Sequence, residues 1–155
     1  MPELSRLTDL EVLALTMIGE GRGEPVEGQI AIGSIIRNRA LTQKIDISQV
    51  CFAPKQFSCW NENDPNFAVL EELASRLLLG QSLIEPHEKQ CLFLARGIIS
   101  NEILDNTNGS LNYITIDLFN SPDRPKWVNN LILAKTIGHH VFFKVKNDDK
   151  STLKA

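Results

Sequence analysis

Tyrosine occurs once in this chain of 155 residues, tryptophan twice and cysteine three times. Cys51, Cys59 and Cys91 contain no C-x-x-C pair, so they offer no zinc spacing and at most one disulfide. Free buried thiols are the expectation, which suits synthesis in a reducing compartment. A predominance of one charge is also missing. Sixteen Lys and Arg face nineteen Asp and Glu, and the only basic scatter is Lys144, Lys146, Lys150 and Lys154. Without a basic stripe there is no electrostatic footprint for nucleic acid. No apolar run approaches the roughly 20 residues that cross a bilayer, so no membrane insertion is expected. Glu3, Arg6, Asp9 and Glu11 interrupt the N-terminal segment, which therefore does not read as a signal peptide. G-x-S-x-G, P-loop and dinucleotide patterns are absent too, which removes the nucleophile-elbow and phosphate-cradle classes.

What is present is an ordinary folding composition, 43% hydrophobic and 23% charged. It suits one domain that buries about two-thirds of its unfolded surface. Thr8-x-x-Glu11 is a capping box, and Leu10, Leu13, Ala14, Met17 and Ile18 follow at helical spacing as one apolar face. Glu24-Pro25 opens a second helix carrying Ile32, Ile35, Ile36 and Ala40, with Gly28 and Gly33 leaving room for a close neighbour. A short helical turn is expected near 48–52, and a strand or extended loop over 56–60. Helices follow over 67–79, with Gly80 as the stop, and from Pro86 to about Asn101. Ser110–Ile116 alternates as a strand does, Val141–Val145 is a second strand candidate, and 127–136 reads as a short helix. The fold class is α+β, mainly helical, with a small antiparallel sheet. Residues 1–146 form the domain, and 147–155 a polar, frayed tail.

The break between the first two helices holds Gly21, Arg22 and Gly23 between two carboxylates, Glu20 and Glu24. Glu20 falls at the edge of the apolar face, at a helix C-terminus. In general a carboxyl half-buried among apolar groups resists ionisation, and can serve as a proton donor. The alternative is a solvated corner where Glu20 pairs with Arg22 or Arg39. Glu24 suits the positive end of the second helix, with Arg37 or Arg39 as partner. The glycines and Pro25 break the shared face that an E-x-x-x-E metal site needs. His87 and Cys91 have no further ligand nearby, so neither a metal nor another cofactor is expected. His139 and His140, if on a strand, point to opposite faces, one of them inward. Gln56, Phe57, Ser58, Trp60, Asn61 and Tyr113 combine aromatic faces with amides and hydroxyls, a mixture that suits carbohydrate; Phe57 and Trp60 suit the core equally.

Five motifs in order resemble the SleB-like cell wall hydrolases, which include spore-cortex lytic enzymes and phage relatives. They are Gly19-Glu20-Gly21-Arg22-Gly23-Glu24-Pro25 with Gly28-Gln29, Asn38-Arg39, Gln56-Phe57-Ser58 with Trp60-Asn61, Thr107-Asn108-Gly109-Ser110-Leu111 with Tyr113, and Ile137-Gly138-His139-His140-Val141-Phe142-Phe143. The resemblance covers about residues 9–144. It departs at Gly21, where alanine is usual, at Phe143, where tyrosine is, and at Cys59. It implies a lysozyme-like transglycosylase fold and cleavage of the β-1,4 bond between N-acetylmuramic acid and N-acetylglucosamine. Glu20 would be the catalytic acid, giving a 1,6-anhydro product. Gln56, Phe57, Ser58, Tyr113 and His139 would line the glycan groove, with Glu24 and Arg39 structural. Hydrolysis of the same bond and a non-catalytic wall-binding domain are the rivals, and a helix–turn–helix DNA binder is a third. The partner implied is the peptidoglycan strand. The missing leader suggests a phage endolysin, made in the cytoplasm and acting on the wall once a holin-type protein releases it.

Overall fold

Thr8 and Glu11 start the first long helix reciprocally. Thr8 Oγ1 accepts from the Glu11 N–H at 3.1 Å, and Glu11 Oε1 accepts from the Thr8 N–H at 2.8 Å. The computed structural model describes residues 3–146, so the tail expected over 147–155 lies outside the described residues. Helix α1 runs Asp9–Glu20 and is buried at every residue from Val12 to Gly19. One apolar face was therefore too narrow an expectation: α1 is the central helix, covered all round. Around it pack α2 (Val26–Gln43), α3 (Ile47–Phe52), α4 (Pro65–Leu78) and α5 (Pro86–Ile99). Thr16, polar in this apolar setting, is satisfied on both sides. It donates to Val12 O at 2.7 Å and accepts from Trp60 Nε1 at 2.9 Å. At Gly33, an added Cβ would lie 2.6 Å from Ile98 Cδ1 and 2.9 Å from Met17 Sδ, so α2 meets α1 and α5 on a missing side chain.

Helix α4 begins earlier than its periodicity predicts, because Asp64 caps it by accepting from the Asn66 N–H at 2.8 Å. Gly80, with φ +76°, follows its end. The segment expected as a strand or extended loop over 56–60 instead closes into a 3-10 turn, Ser58–Trp60.

The sheet has three antiparallel strands in the order β1-β3-β2: β1 Asn112–Thr115, β2 Ile132–Ile137 and β3 His140–Lys144. A short helix, α6 (Ile116–Phe119), follows β1. Strand β3 is central and buried on both faces. Phe142 joins the helical core, while Val141 and Phe143 join Ile114 and Val128 in a second, smaller core on the far side. The helix expected over 127–136 is not there. A 3-10 turn, Lys126–Asn130, leads into β2. Strand β2 is an edge strand with Ile132 and Leu133 exposed, so neither face imposes an alternation to read. The architecture is mainly helical with a small antiparallel sheet, and the sheet lies against the end of α1.

Candidate active site

Glu20 is the last residue of α1, so its carboxyl leaves the helical body where the helix stops. The residue before it sets what can approach. A Cβ on Gly19 would fall 2.7 Å from Cys59 Cβ and 2.9 Å from Leu70 Cδ1. The bare glycine lets the Ser58–Trp60 turn sit directly on the helix end, and that turn aims the Cys59 N–H at Glu20 Oε2, 3.2 Å away. From the sheet side, the Tyr113 hydroxyl donates to Glu20 Oε1 at 2.8 Å. Each carboxylate oxygen thus holds one donor. Burial, and after it the charge of Glu20, pushes the Tyr113 phenol well above its ordinary pKa, so it keeps its proton and stays a donor. The rival pairing of Glu20 with Arg22 or Arg39 does not occur: among the described residues, the ion pairs are those of Glu24.

Arg39 is committed elsewhere. Its Nε donates to Leu111 O at 2.5 Å, its Nη1 to Gln56 Oε1 at 2.9 Å, and its guanidinium stands 5.4 Å from the Phe57 ring centre. Asn38, beside it, donates to Asp105 Oδ2 at 3.1 Å and Ser110 O at 3.0 Å. Asp105 in turn collects the Thr107 hydroxyl at 2.6 Å and the N–H groups of Thr107 and Gly109, each at 2.7 Å. Two neighbouring residues of α2 therefore pin the loop that delivers β1 and, with it, Tyr113.

Between the helix end and the sheet lies a cavity of about 430 Å³, within the roughly 300–1,000 Å³ usual for ligand sites. Glu20, Arg39, Gln56, Phe57, Ser58 and Tyr113 all line it, so six residues singled out in the sequence converge there. Phe57 is 2% exposed and forms its apolar floor. Trp60 is not part of the lining; it packs edge-on against Phe52, 4.9 Å between ring centres. Lys55, Asn61, Thr115 and His140 complete the polar wall.

His139 lies outside that lining, and His140 lies in it. The strand starts only at His140, and the turn before it carries Gly138 with φ +56°. Alternation therefore does not separate the two histidines, and both turn towards Glu24. Glu24 Oε1 accepts from the His139 N–H at 3.1 Å and touches His140 Nδ1, while Oε2 contacts His139 Nδ1 at 2.6 Å. These histidines replace the arginines expected as partners of Glu24. Counting back in twos from the inward Phe142 puts His140 on the inner face; that was the signal available for finding it.

Among the described residues that line the cavity, Glu20 is the only carboxylate. Asp64 caps α4, Asp105 is tied into its loop and Asp117 sits in α6, none of them in the wall. No three His, Cys, Asp or Glu side chains gather as a metal site among the described residues. His87 is exposed, whereas Cys91 faces inward and donates weakly to Gln29 Oε1 at 3.5 Å.

Comparison with known proteins gives a consistent set. The chain is 29% identical over 148 residues to the spore cortex-lytic enzyme of Oceanobacillus iheyensis, covering 93% of this chain and 44% of that protein. It is 30% identical over 138 residues to the enzyme of the same name from Bacillus subtilis, covering 86% and 37%. It thus spans less than half the length of these relatives. Among solved structures, the catalytic domain of the germination-specific lytic transglycosylase SleB from Bacillus anthracis superposes with a TM-score of 0.57 at 26% identity, over 88% of this chain and 93% of that one. The catalytic domain of Bacillus cereus SleB gives 0.56 at 27%, over 88% and 89%. The Cell Wall Hydrolase family model matches residues 23–143, beginning just after Glu20, so the case for that residue rests on its geometry. With most of its length matched by that model, the chain belongs to the cell wall hydrolase family.

Proposed function

We propose that this domain cleaves the β-1,4 bond between N-acetylmuramic acid and N-acetylglucosamine in peptidoglycan, as a lytic transglycosylase with Glu20 as the acid. One observation carries the reading: among the described residues, the cavity wall holds a single carboxylate. Two-carboxylate glycosidases need a second one, about 5–5.5 Å away in retaining enzymes or about 6.5–9.5 Å in inverting ones. A single acid suits a reaction in which the substrate supplies its own nucleophile. Glu20 gives its proton to the glycosidic oxygen as the bond to C1 breaks, and N-acetylglucosamine leaves as the alcohol. The carboxylate then takes the proton of the muramyl C6 hydroxyl as O6 closes onto C1. A 1,6-anhydro end forms, and the acid is restored. The Tyr113 O–H and Cys59 N–H support this by bonding the carboxylate that Glu20 becomes between the two transfers. The lytic transglycosylase named among the structural relatives supports the same chemistry, and the reading puts the domain's action at the bacterial cell wall.

Glu20→Gln keeps the shape of the acid and removes its proton. A loss of at least about a hundredfold in release of soluble fragments from purified walls is expected, the scale of general acid catalysis. Mass spectrometry of the parental digest should show anhydro-muramyl ends. Reducing muramic ends would mean that water, not the C6 hydroxyl, completes the reaction. New free amines would sink the glycan reading altogether.

A further inference from the structure

Glu24 is a second carboxylate four residues beyond the acid, its side chain only 2% exposed, and it does not line the cavity. We propose that Glu24 is a positioning residue, which holds the carboxyl of Glu20 in its working orientation through His140 and Tyr113. The proposal rests on the reading of Glu20 as the acid.

Each link has a distance or a contact. A buried carboxylate must be met by donors or counter-charges. Glu24 is met by the His139 N–H, by His139 Nδ1 and by His140 Nδ1, all from one turn of the β2–β3 hairpin. A Cβ on Gly138 would lie 2.9 Å from Glu24 Oε2, so the turn closes tightly over the carboxylate. His140 Nδ1 lies against Glu24 Oε1 at contact distance but outside hydrogen-bond alignment, so what Glu24 sets is where the ring sits. That ring stands edge-on to Tyr113, with 4.8 Å between centres and 84° between planes, a favoured aromatic arrangement. Phe142 holds the Tyr113 ring from another side at 5.6 Å. Strand register backs the clamp, because Tyr113 pairs with Phe142 and Thr115 with His140. A clamped ring leaves the hydroxyl little freedom, and it sits 2.8 Å from Glu20 Oε1.

The contacts form a closed circuit. The chain runs from Glu20 through the turn to Glu24, and the side chains return through His140 and Tyr113 to Glu20. The turn is tied to α2, where Gln29 Nε2 donates to Gly21 O. Glu20 is at a helix terminus, where its own helix gives least support, so its orientation comes from these outside groups. Glu24 never touches the substrate space; it acts on the acid through two rings.

The test is a double-mutant cycle on kcat with a defined glycan substrate, using Glu24→Gln, Tyr113→Phe and the pair. Misplacing a reacting group by about 1 Å can cost about a hundredfold. A partial loss of register therefore predicts a fall of about tenfold in kcat for Glu24→Gln, with KM within about twofold. Tyr113→Phe should fall at least as far, and the double variant should match Tyr113→Phe alone rather than the product of the two losses. Rates are scaled to the folded fraction read from thermal unfolding. Should Glu24→Gln not fold, His140→Asn takes its place in the cycle. It keeps an amide N–H near the position of Nδ1 but has no ring to bear on Tyr113, so it should show the same kcat loss. Multiplying losses, or parental kcat in the single variants, would overturn the proposal. Glu20→Gln is run beside them. If it stays active, the acid assignment is what failed. If it is dead while Glu24→Gln and His140→Asn are both parental, the circuit alone is wrong.

Discussion

Gly19 shows how one missing side chain sets the chemistry next to it. Alanine is the better helix former by about 1 kcal/mol, so propensity alone favours Gly19→Ala. The space does not. Cys59 Cβ and Sγ and Leu70 Cδ1 all lie under 3.0 Å from where the new methyl would go. Overpacking costs about 1–3 kcal/mol, and Cys59 Cβ can retreat only by moving its own backbone. Gly19→Ala should therefore lower the urea midpoint. It should also lower activity beyond the stability loss, because the Cys59 N–H is drawn away from Glu20. An unchanged midpoint would show that the turn gives way freely. At this scale the sequence was informative about which residues matter and less so about what they touch. Glu20, Gln56, Phe57, Ser58 and Tyr113, each singled out in the sequence, line one cavity. His139, one of the two partners of Glu24, lies 115 positions away in the chain, and no local spacing reports a contact at that separation. His139 is the groove residue that the resemblance implies, and the strand expected over Val141–Val145 stops short of both histidines, whereas β3 begins at His140. With the strand carried back to His140, the period of two from the inward Phe142 puts His140 on the inner face.

At the scale of elements, the loop before β1 is gathered around one carboxylate, Asp105. Burial pushes the Asp105 carboxyl up, but the bonds from Thr107, Gly109 and Asn38 outweigh it, and its pKa ends below the ordinary value. A carboxylate with a depressed folded pKa adds stability above its unfolded pKa of about 3.9, and that stability is lost as pH falls through the folded value. Parental protein should thus lose stability below about pH 4, more steeply than Asp105→Asn. The variant should be the less stable of the two at pH 7, and the gap should narrow on acidification. Parallel curves of unfolding free energy against pH would refute this. Asp105 is also what Asn38 holds, so the neutral variant should loosen Tyr113 and weaken activity at neutral pH. Helices α1, α2, α4 and α5 could be placed from sequence, because caps, proline starts and a glycine stop mark them and their periodicity is long. Strand β3 could be placed from its apolar run. Strand β2 could not, because an edge strand without a buried face leaves nothing for a period-2 count to find.

Over the whole molecule, two cores of unequal size divide the work, and the three cysteines all lie in the larger one. Cys51 is on α3, Cys59 in the turn under Glu20 and Cys91 on α5, each at most 1% exposed. Burial is the main cause in every case of a raised thiol pKa. Cys51 is pushed up to about 12 and Cys91 to about 11, and Cys59 rises as well, with Glu20 adding to the effect. Attack on a disulfide reagent needs the thiolate, so the native thiols should be nearly inert at pH 8 and react only through opening. All three elements pack on α1, and exposing any one of the thiols means parting it from the central helix. With the body opening as one unit, the three thiols should react at a single rate. That rate should rise with urea along the slope of global unfolding. The informative exception is Cys59. Its turn borders the cavity and bonds the acid, so early reaction of Cys59 alone would mean that the site opens separately from the body. Glu20 would then be held by a mobile wall, and its orientation would depend on the sheet side, through Tyr113, more than on the helix that carries it.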